Sequence, residues 1–303
     1  SVATNTISNV YSTLVALCPD IPVNSGYFRP VRIVLPERSV VNCEPPAPVG
    51  HSTVCIGSDI MEAVMKAFEP IIPDRVGTAN IDLGNARVYG TDTRNNRFFV
   101  GSDLWATAMS AGGAKGTDGW GGYAAPFCAL KLPSLEMYEQ QYPYRYRQVE
   151  YAIDTAAPGK FRGAPAMEYR REMLDAVHCI VYNQGYEYPV QGYLGGKPGA
   201  GNLFVLNEGR PDEVVVPHAC YDVPVPSGAA RSGGGGGWGD PFERDPARVR
   251  ADVLNGYVSV ASAAEDYGVV IDPETFEIDA SATTKLRAAR ASAPALESEG
   301  AAI

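Results

Sequence analysis

The sequence predicts an α+β fold: β-rich mixed sheets, amphipathic helices at the amino end and a helical hairpin near the carboxyl end. Three observations lead there. Of 303 residues, 32 are glycine and 24 are proline, so turns and irregular loops are frequent and long helices cannot dominate. Several short runs alternate apolar and polar residues with the period of a strand. Helical periodicity with clear start and stop residues falls mainly toward the two ends of the chain.

The first helix is read from Ile7, Val10, Tyr11, Leu14 and Val15, which share one face; Pro19 ends it. Nothing earlier in the chain can cover that stripe. After a turn at 20–26, a strand is expected over Val31–Leu35, and the Pro45–Pro48 run is a stiff extended connector. Ser58 is read as the cap of a second helix burying Met61, Val64, Met65 and Phe68 and stopping at Pro70. Residues 78–100 read as short strands with Asn95-Asn96 at a hairpin tip. Residues 110–122 form a loop holding six glycines, and Leu135–Gln141 a brief helix.

Tyr144 and Tyr146 alternate with Arg145 and Arg147, as on a half-exposed strand. Phe161–Tyr169 and Arg170–Val181 suggest strands around a Pro158-Gly159 turn. Leu203–Leu206 and Glu213–Val216 form a hairpin. Five glycines, Gly233–Gly237, then lead to two punctuated helices. Asp245 caps the first, with Pro246 in its opening turn, apolar Val249, Val253 and Leu254, and a stop at Asn255-Gly256. Ser259 caps the second, which ends at Gly268. Strands at 269–271 and 276–278, a basic helix near 283–290 and an Ala/Ser/Glu tail complete the chain. The implied division is a β-rich core over 1–231, a glycine loop and helical hairpin over 232–290, and a disordered tail over 291–303.

The 25 basic and 35 acidic residues leave a net charge of -10, which disfavours a polyanionic partner. No apolar run approaches the roughly 20 residues of a membrane span. The first ten residues lack the basic and apolar regions of a secretory signal, so the cytoplasm is expected. Six cysteines sit singly, and most are expected to be buried thiols.

Gly233–Gly237 could be a mobile connector, a tightly packed one or an anion cradle; it lacks the Lys-Ser/Thr pair of a P-loop. Of the histidines, His51, His178 and His218, the second adjoins Cys179 and the third lies two residues from Cys220. Neighbours on a strand face opposite ways, so His178 and Cys179 could not both ligate a metal easily if they lie on one; His218 and Cys220 would share a face, but two ligands do not make a site. No metal site is assigned. In the 110–122 loop, Lys115 and Asp118 stand among glycines, either as ligand contacts or as parts of a surface loop anchored by Trp120. Arg29, near Asn24, could bind a carboxylate or phosphate, or could tie down its own loop.

Several separated segments together resemble the hydantoinase B family, the B half of ATP-dependent hydantoinases, 5-oxoprolinases and acetone- or acetophenone-type carboxylases. Residues 20–30 (DIPVNSGYFRP) resemble the family's PxNxGxxRP segment, and 42–48 its Pro-rich continuation. Ala111-Gly112-Gly113 with Asp118-Gly119-Trp120 resembles its GG…DG loop. Glu139–Pro143 with Gly159–Gly163 resembles its E…YP…GxxRGG stretch, although Ala164 replaces the second glycine. The order of parts over 232–270 resembles the family's carboxyl end.

Family members run to about twice this length, which implies a carboxyl-terminal portion of a B-type subunit: a split subunit, a processed chain or a truncated one. The resemblance implies an A-type subunit holding ATP and Mg, and a chain supplying the amino-terminal half, with which the Ile7–Val10–Leu14 stripe would pack. That half would hold any divalent metal, Zn or Mn. The implied activity is hydrolysis of a cyclic amide (hydantoin, oxoproline or lactam) through a phosphorylated intermediate. Ketone carboxylation and a non-catalytic scaffold role are the alternatives. Gly112, Gly113, Lys115 and Asp118 are the substrate-side candidates, with Asn24 and Arg29 second; the residues of proton transfer are unassigned.

Overall fold

Strand alternation builds two antiparallel sheets that pack face to face. In the computed structural model, residues 2–50, 52–78, 84–102, 110–121 and 132–291 are described. His51, Cys128 and the tail expected to be disordered, from 292 onward, lie outside them. Helices α1 (Val2–Leu17) and α2 (Ser52–Phe68) pack together at the amino end. Strands β1 (Gly84–Asp92) and β2 (Arg97–Ser102) form the expected hairpin, and Asn96 at its tip has φ 56°. Helix α3 (Leu135–Gln141) leads into β3 (Tyr144–Tyr151), β4 (Met167–Met173) and β5 (Val177–Asn183). Then come β6 (Leu203–Leu206), β7 (Val214–Val215), β8 (Ala219–Pro224) and β9 (Ser227–Arg231).

One sheet runs β2-β1-β5-β8 and the other β3-β4-β9-β6-β7. Between them lie Ala86, Val88, Cys179 and Val181 from the first sheet and Tyr144, Tyr169, Phe204, Leu206 and Ala230 from the second. Tyr138 of α3 closes one end of this core and donates to Ser102 O at 3.0 Å.

The carboxyl helices follow their punctuation. Helix α4 (Pro246–Leu254) has Asp245 as cap and Pro246 at its start; α5 (Val260–Tyr267) runs from Ser259 to Gly268, whose φ is 62°. With α6 (Ala280–Ala291) after them, their core gathers Val249, Val253, Val258, Ala263, Tyr267, Val269 and Ile271.

Several expectations need correction. Ser58 does not cap α2: the helix begins at Ser52, and the Ser58 hydroxyl is buried inside it. Packing against α1 outweighs the modest propensity cost of Gly57 and the β-branched residues before it. On α1 the buried positions are Val2, Thr6, Asn9, Thr13 and Leu17, while the apolar stripe is half-buried. The polar side chains are satisfied locally: Thr6 and Thr13 donate to carbonyls one turn back at 3.1 and 2.8 Å. The chain itself partly covers the stripe: Phe28 stacks on Tyr11 at 4.0 Å, and Tyr27 donates to Leu14 O at 2.6 Å.

Residues 31–35 alternate as a strand would but lie in no ladder, so they are extended coil. The turn before β5 falls at 174–176 rather than at Pro158-Gly159; Phe161 makes one isolated bridge, to Trp238. The segments at 269–271 and 276–278 share a single bridge, Ile271 with Ile278. Leu254 ends α4 exposed.

Gly233–Gly237 resolves the choice left by the sequence: every residue of the run is buried. Its backbone bonds to three other glycine-bearing stretches. The amides of Gly234, Gly235 and Gly237 donate to the carbonyls of Ala200, Ala164 and Lys197, and Gly236 O accepts from Gly113 N at 2.8 Å. Opposing positions leave no room for a side chain. A Cβ on Gly163 would lie 1.8 Å from Gly235 O, one on Gly199 2.0 Å from Gly234 O, and one on Gly196 2.0 Å from Gly237 O. Those obstacles are backbone, which cannot swing aside as a flexible side chain would.

Gly235→Ala and Gly163→Ala should each destabilise the fold by at least about 3 kcal/mol in urea melts, the upper range of overpacking. Gly50→Ala, where a Cβ meets nothing within 4 Å, should stay within about 0.5 kcal/mol, as surface substitutions do.

Candidate functional site

The 110–121 loop is anchored from beneath and open at its tip. Ala114 and Thr117 exchange two bonds of 3.0 Å around Lys115-Gly116, closing a tight turn. Gly113 holds the base: its carbonyl accepts from the Thr78 amide and hydroxyl, each at 2.9 Å. A Cβ on Gly113 would lie 2.3 Å from Phe161 O. The Gly112 amide is 2.7 Å from where a Cβ on Gly235 would sit, so this loop rests directly on the glycine run. At the tip, Lys115 pairs with Asp74 at 2.5 Å, both exposed; such a pair contributes little and leaves the ammonium available. Trp120 is 59% exposed, so it does not anchor the loop in the core.

Asp118 points the other way, into a charge cluster. Arg244 grips it with two bonds of 2.7 and 2.8 Å and reaches Asp252 at 2.7 Å. Arg162 bonds Asp252 at 2.8 Å through its side chain, and its amide donates to Asp118 at 3.0 Å. Arg248 meets Asp118 from the surface at 2.6 Å. Burial opposes ionisation of Asp118, but the three guanidinium groups, Arg244 foremost, outweigh it and hold the carboxyl below its usual range. Arg244 is 1% exposed. Burial would lower its pKa, yet Asp118 and Asp252 raise it, so it stays charged.

The second group of candidates lies on a separate segment. Asn24 accepts from Gly26 N at 2.8 Å and donates to Pro22 O at 3.2 Å, an Asx turn that fixes its own loop. The Arg29 side chain is exposed, with no hydrogen bond or ion pair among the described residues. Neither residue bonds to the 110–121 loop. The two regions meet indirectly through residues 74–78: Arg75 reaches Asp20 at 2.6 Å, and Gly77 bridges Ala114.

Sequence reasoning missed Glu62. Burial first, and the nearby Asp59 charge second, push its carboxyl up to about 7, against the Gln191 amide and Lys66, which pull it down. An α2 carboxyl that changes charge near neutrality is suited to proton transfer. The signal available was an acid one position after the buried Met61, on the rim of the helix's inward face.

The histidines separate as strand geometry requires. His178 faces outward and bonds Asp222 at 2.7 Å, while Cys179 turns into the core. His218 is exposed beside Glu187, whereas Cys220 packs against the sandwich core. Among the described residues no three of His, Cys, Asp and Glu cluster to hold a metal ion. No helix among them is long and apolar enough to cross a membrane.

Sandwich, glycine core and loop together define a recognisable class. The profile of the Hydantoinase B/oxoprolinase family matches residues 1–241, and the chain belongs to that family. It is 33% identical to the caprolactamase subunit beta of Pseudomonas jessenii, over 95% of this chain and 52% of that one. The crystal structure of ATP-dependent caprolactamase from Pseudomonas jessenii superposes with a TM-score of 0.79 at 29% identity, covering 93% of this chain and 51% of that one. A nucleotide-free acetone carboxylase structure shares the fold, with a TM-score of 0.80 at 18% identity over 94% of this chain and 44% of its own. The chain therefore spans about half the length of the relatives it matches.

Asp118→Asn leaves Arg244 buried with a broken partner and should cost about 3 kcal/mol of stability, the scale of a disrupted buried pair. Arg248→Ala, removing the exposed partner, should cost under about 1 kcal/mol. Because the folded pKa of Asp118 is depressed, its contribution is present above the ordinary carboxylate range and lost as pH falls through the folded value. Urea melts of both variants at neutral and acid pH measure this: the wild-type advantage over Asp118→Asn should shrink in acid.

Proposed function

We propose that this chain forms part of the B-type component of an ATP-dependent complex that opens a cyclic amide. The likeness to caprolactamase subunit beta carries the reading: 33% identity over 95% of the chain. The carboxylase likeness is one of fold, at 18% identity. A partner subunit of the A type would bind ATP and Mg and phosphorylate the amide oxygen, weakening the amide. Water would then attack the former carbonyl carbon, the C–N bond would break to open the ring as an aminoacyl phosphate, and a second water would release phosphate, giving an amino acid, ADP and phosphate. Such a step gains from fixed donors for developing oxyanion charge in a site that excludes bulk water.

In this reading the 110–121 loop faces substrate. Gly112 and Gly113 allow close backbone approach, Lys115 supplies a cation at the tip, and Asp118 holds the loop in place through Arg244. Arg29, with Asn24 shaping its loop, offers a second anion contact. Glu62 is a group for proton transfer. A further chain portion would complete the cavity and carry any divalent metal.

The test is product analysis of the complex purified with its partner subunits, given caprolactam or a hydantoin with ATP, and in parallel a ketone with ATP and labelled bicarbonate. Ring-opened product formed only with ATP, and no label fixed, is expected. Label in a carboxylated product would overturn hydrolysis. Lys115→Ala should lower kcat/KM at least about tenfold, the loss of one charge-assisted contact; unchanged turnover would remove the loop from the site.

A further inference from the structure

Two thiols of the four-stranded sheet take no part in the proposed function. Cys179 on β5 is 2% exposed, Cys220 on the edge strand β8 is partly buried, and both are reduced. In the β5–β8 ladder Cys179 pairs with Val223 and Val181 with Cys220. The register shifts between those pairs: two steps along β5 match three along β8, a β-bulge. The extra residue turns Cys220 onto the inner face, where it packs on the cluster containing Cys179. The Cys179 thiol and the Val181 amide are the groups that act on the Cys220 thiol.

We infer that Cys179 and Cys220 form a redox modification site, a dithiol that a hydroperoxide oxidises to a disulfide tying the edge strand β8 to β5. The hydrogen bond from Cys179, with help from the Val181 amide, outweighs burial and brings the Cys220 thiol down to about 7, so much of it is thiolate at neutral pH. Its partial exposure on an edge strand admits a small oxidant. The Cys220 thiolate attacks one peroxide oxygen, the O–O bond breaks, and the released hydroxide takes up a proton as water, leaving Cys220 as a sulfenic acid. The Cys179 sulfur then attacks Cys220 Sγ; the S–O bond breaks, and a second water leaves with the Cys179 proton. Two thiols and one peroxide become one disulfide and two waters. Core burial of Cys179 makes it the resolving thiol. This site is independent of the proposed function.

The test treats the full chain with excess hydrogen peroxide, blocks remaining thiols with N-ethylmaleimide in denaturant, digests and analyses by mass spectrometry. Glu-C is the protease of choice, because Lys197 and Arg210 both precede proline and resist trypsin, whereas Glu187 and Glu208 separate the two cysteines. A Cys179–Cys220 linked peptide is expected, lighter by two hydrogens than its reduced parts and lost on treatment with dithiothreitol. In Cys220→Ser, Cys179 should stay a thiol and be recovered as its maleimide adduct. Recovery of both wild-type cysteines as adducts, or of Cys220 as a sulfinic acid with no link, would overturn the inference. So would equal oxidation of Cys179 in Cys220→Ser.

Discussion

Backbone meeting backbone without an intervening Cβ is the constraint on which this molecule depends. Gly233–Gly237 runs through the interior as bare chain, Gly163, Gly196 and Gly199 present bare chain to it, and Gly113 N bonds to Gly236 O. Side chains normally keep buried segments apart; here their absence lets polar backbone approach closely enough to hydrogen-bond on several sides. The conformational cost of ordering so many glycines is high, and the bonds made by Gly234, Gly235, Gly236 and Gly237 offset it by leaving few buried groups unpaired.

That bare core explains the placement of charge around it. Arg162 and Asp118 flank the glycine junction, and Arg244 follows the run by seven residues. Their union with Asp252 of α4 fastens the carboxyl helices to the loops. A cation as buried as Arg244 is tolerable only with both carboxylates in place. The 110–121 loop is thus held by backbone bonds at Gly113 and by ion pairs at Asp118, while Lys115 and Trp120 face outward. A stiff base under an exposed tip is a suitable construction for positioning a substrate with little entropy left to lose.

Local chemistry was readable where a residue acts on its near neighbours. Asp245, Pro246, Ser259 and Gly268 punctuate the carboxyl helices through bonds within one turn, and Asn96 closes its hairpin in the same way. What failed depends on distant partners. The 31–35 segment has strand alternation but no strand to bond. The start of α2 is decided by α1, and the buried Thr6 and Thr13 of α1 by their own back-bonds. Strands β8 and β9, which follow each other across Val225-Pro226 but belong to different sheets, gave no clear alternation to read. At the candidate site, the glycines and Lys115–Asp118 stood out by composition, but the Asp118–Arg244 pairing spans 126 positions. Glu62 likewise acquires its character chiefly from the burial of its helix.

Amide hydrogen exchange tests the central claim most directly. If the glycine run is a packed, hydrogen-bonded core, the amides of Gly234, Gly235 and Gly237 should exchange as slowly as those of β5, opening only with global unfolding. Exchange of these glycines at the rate of an exposed loop, while β5 stays protected, would contradict it.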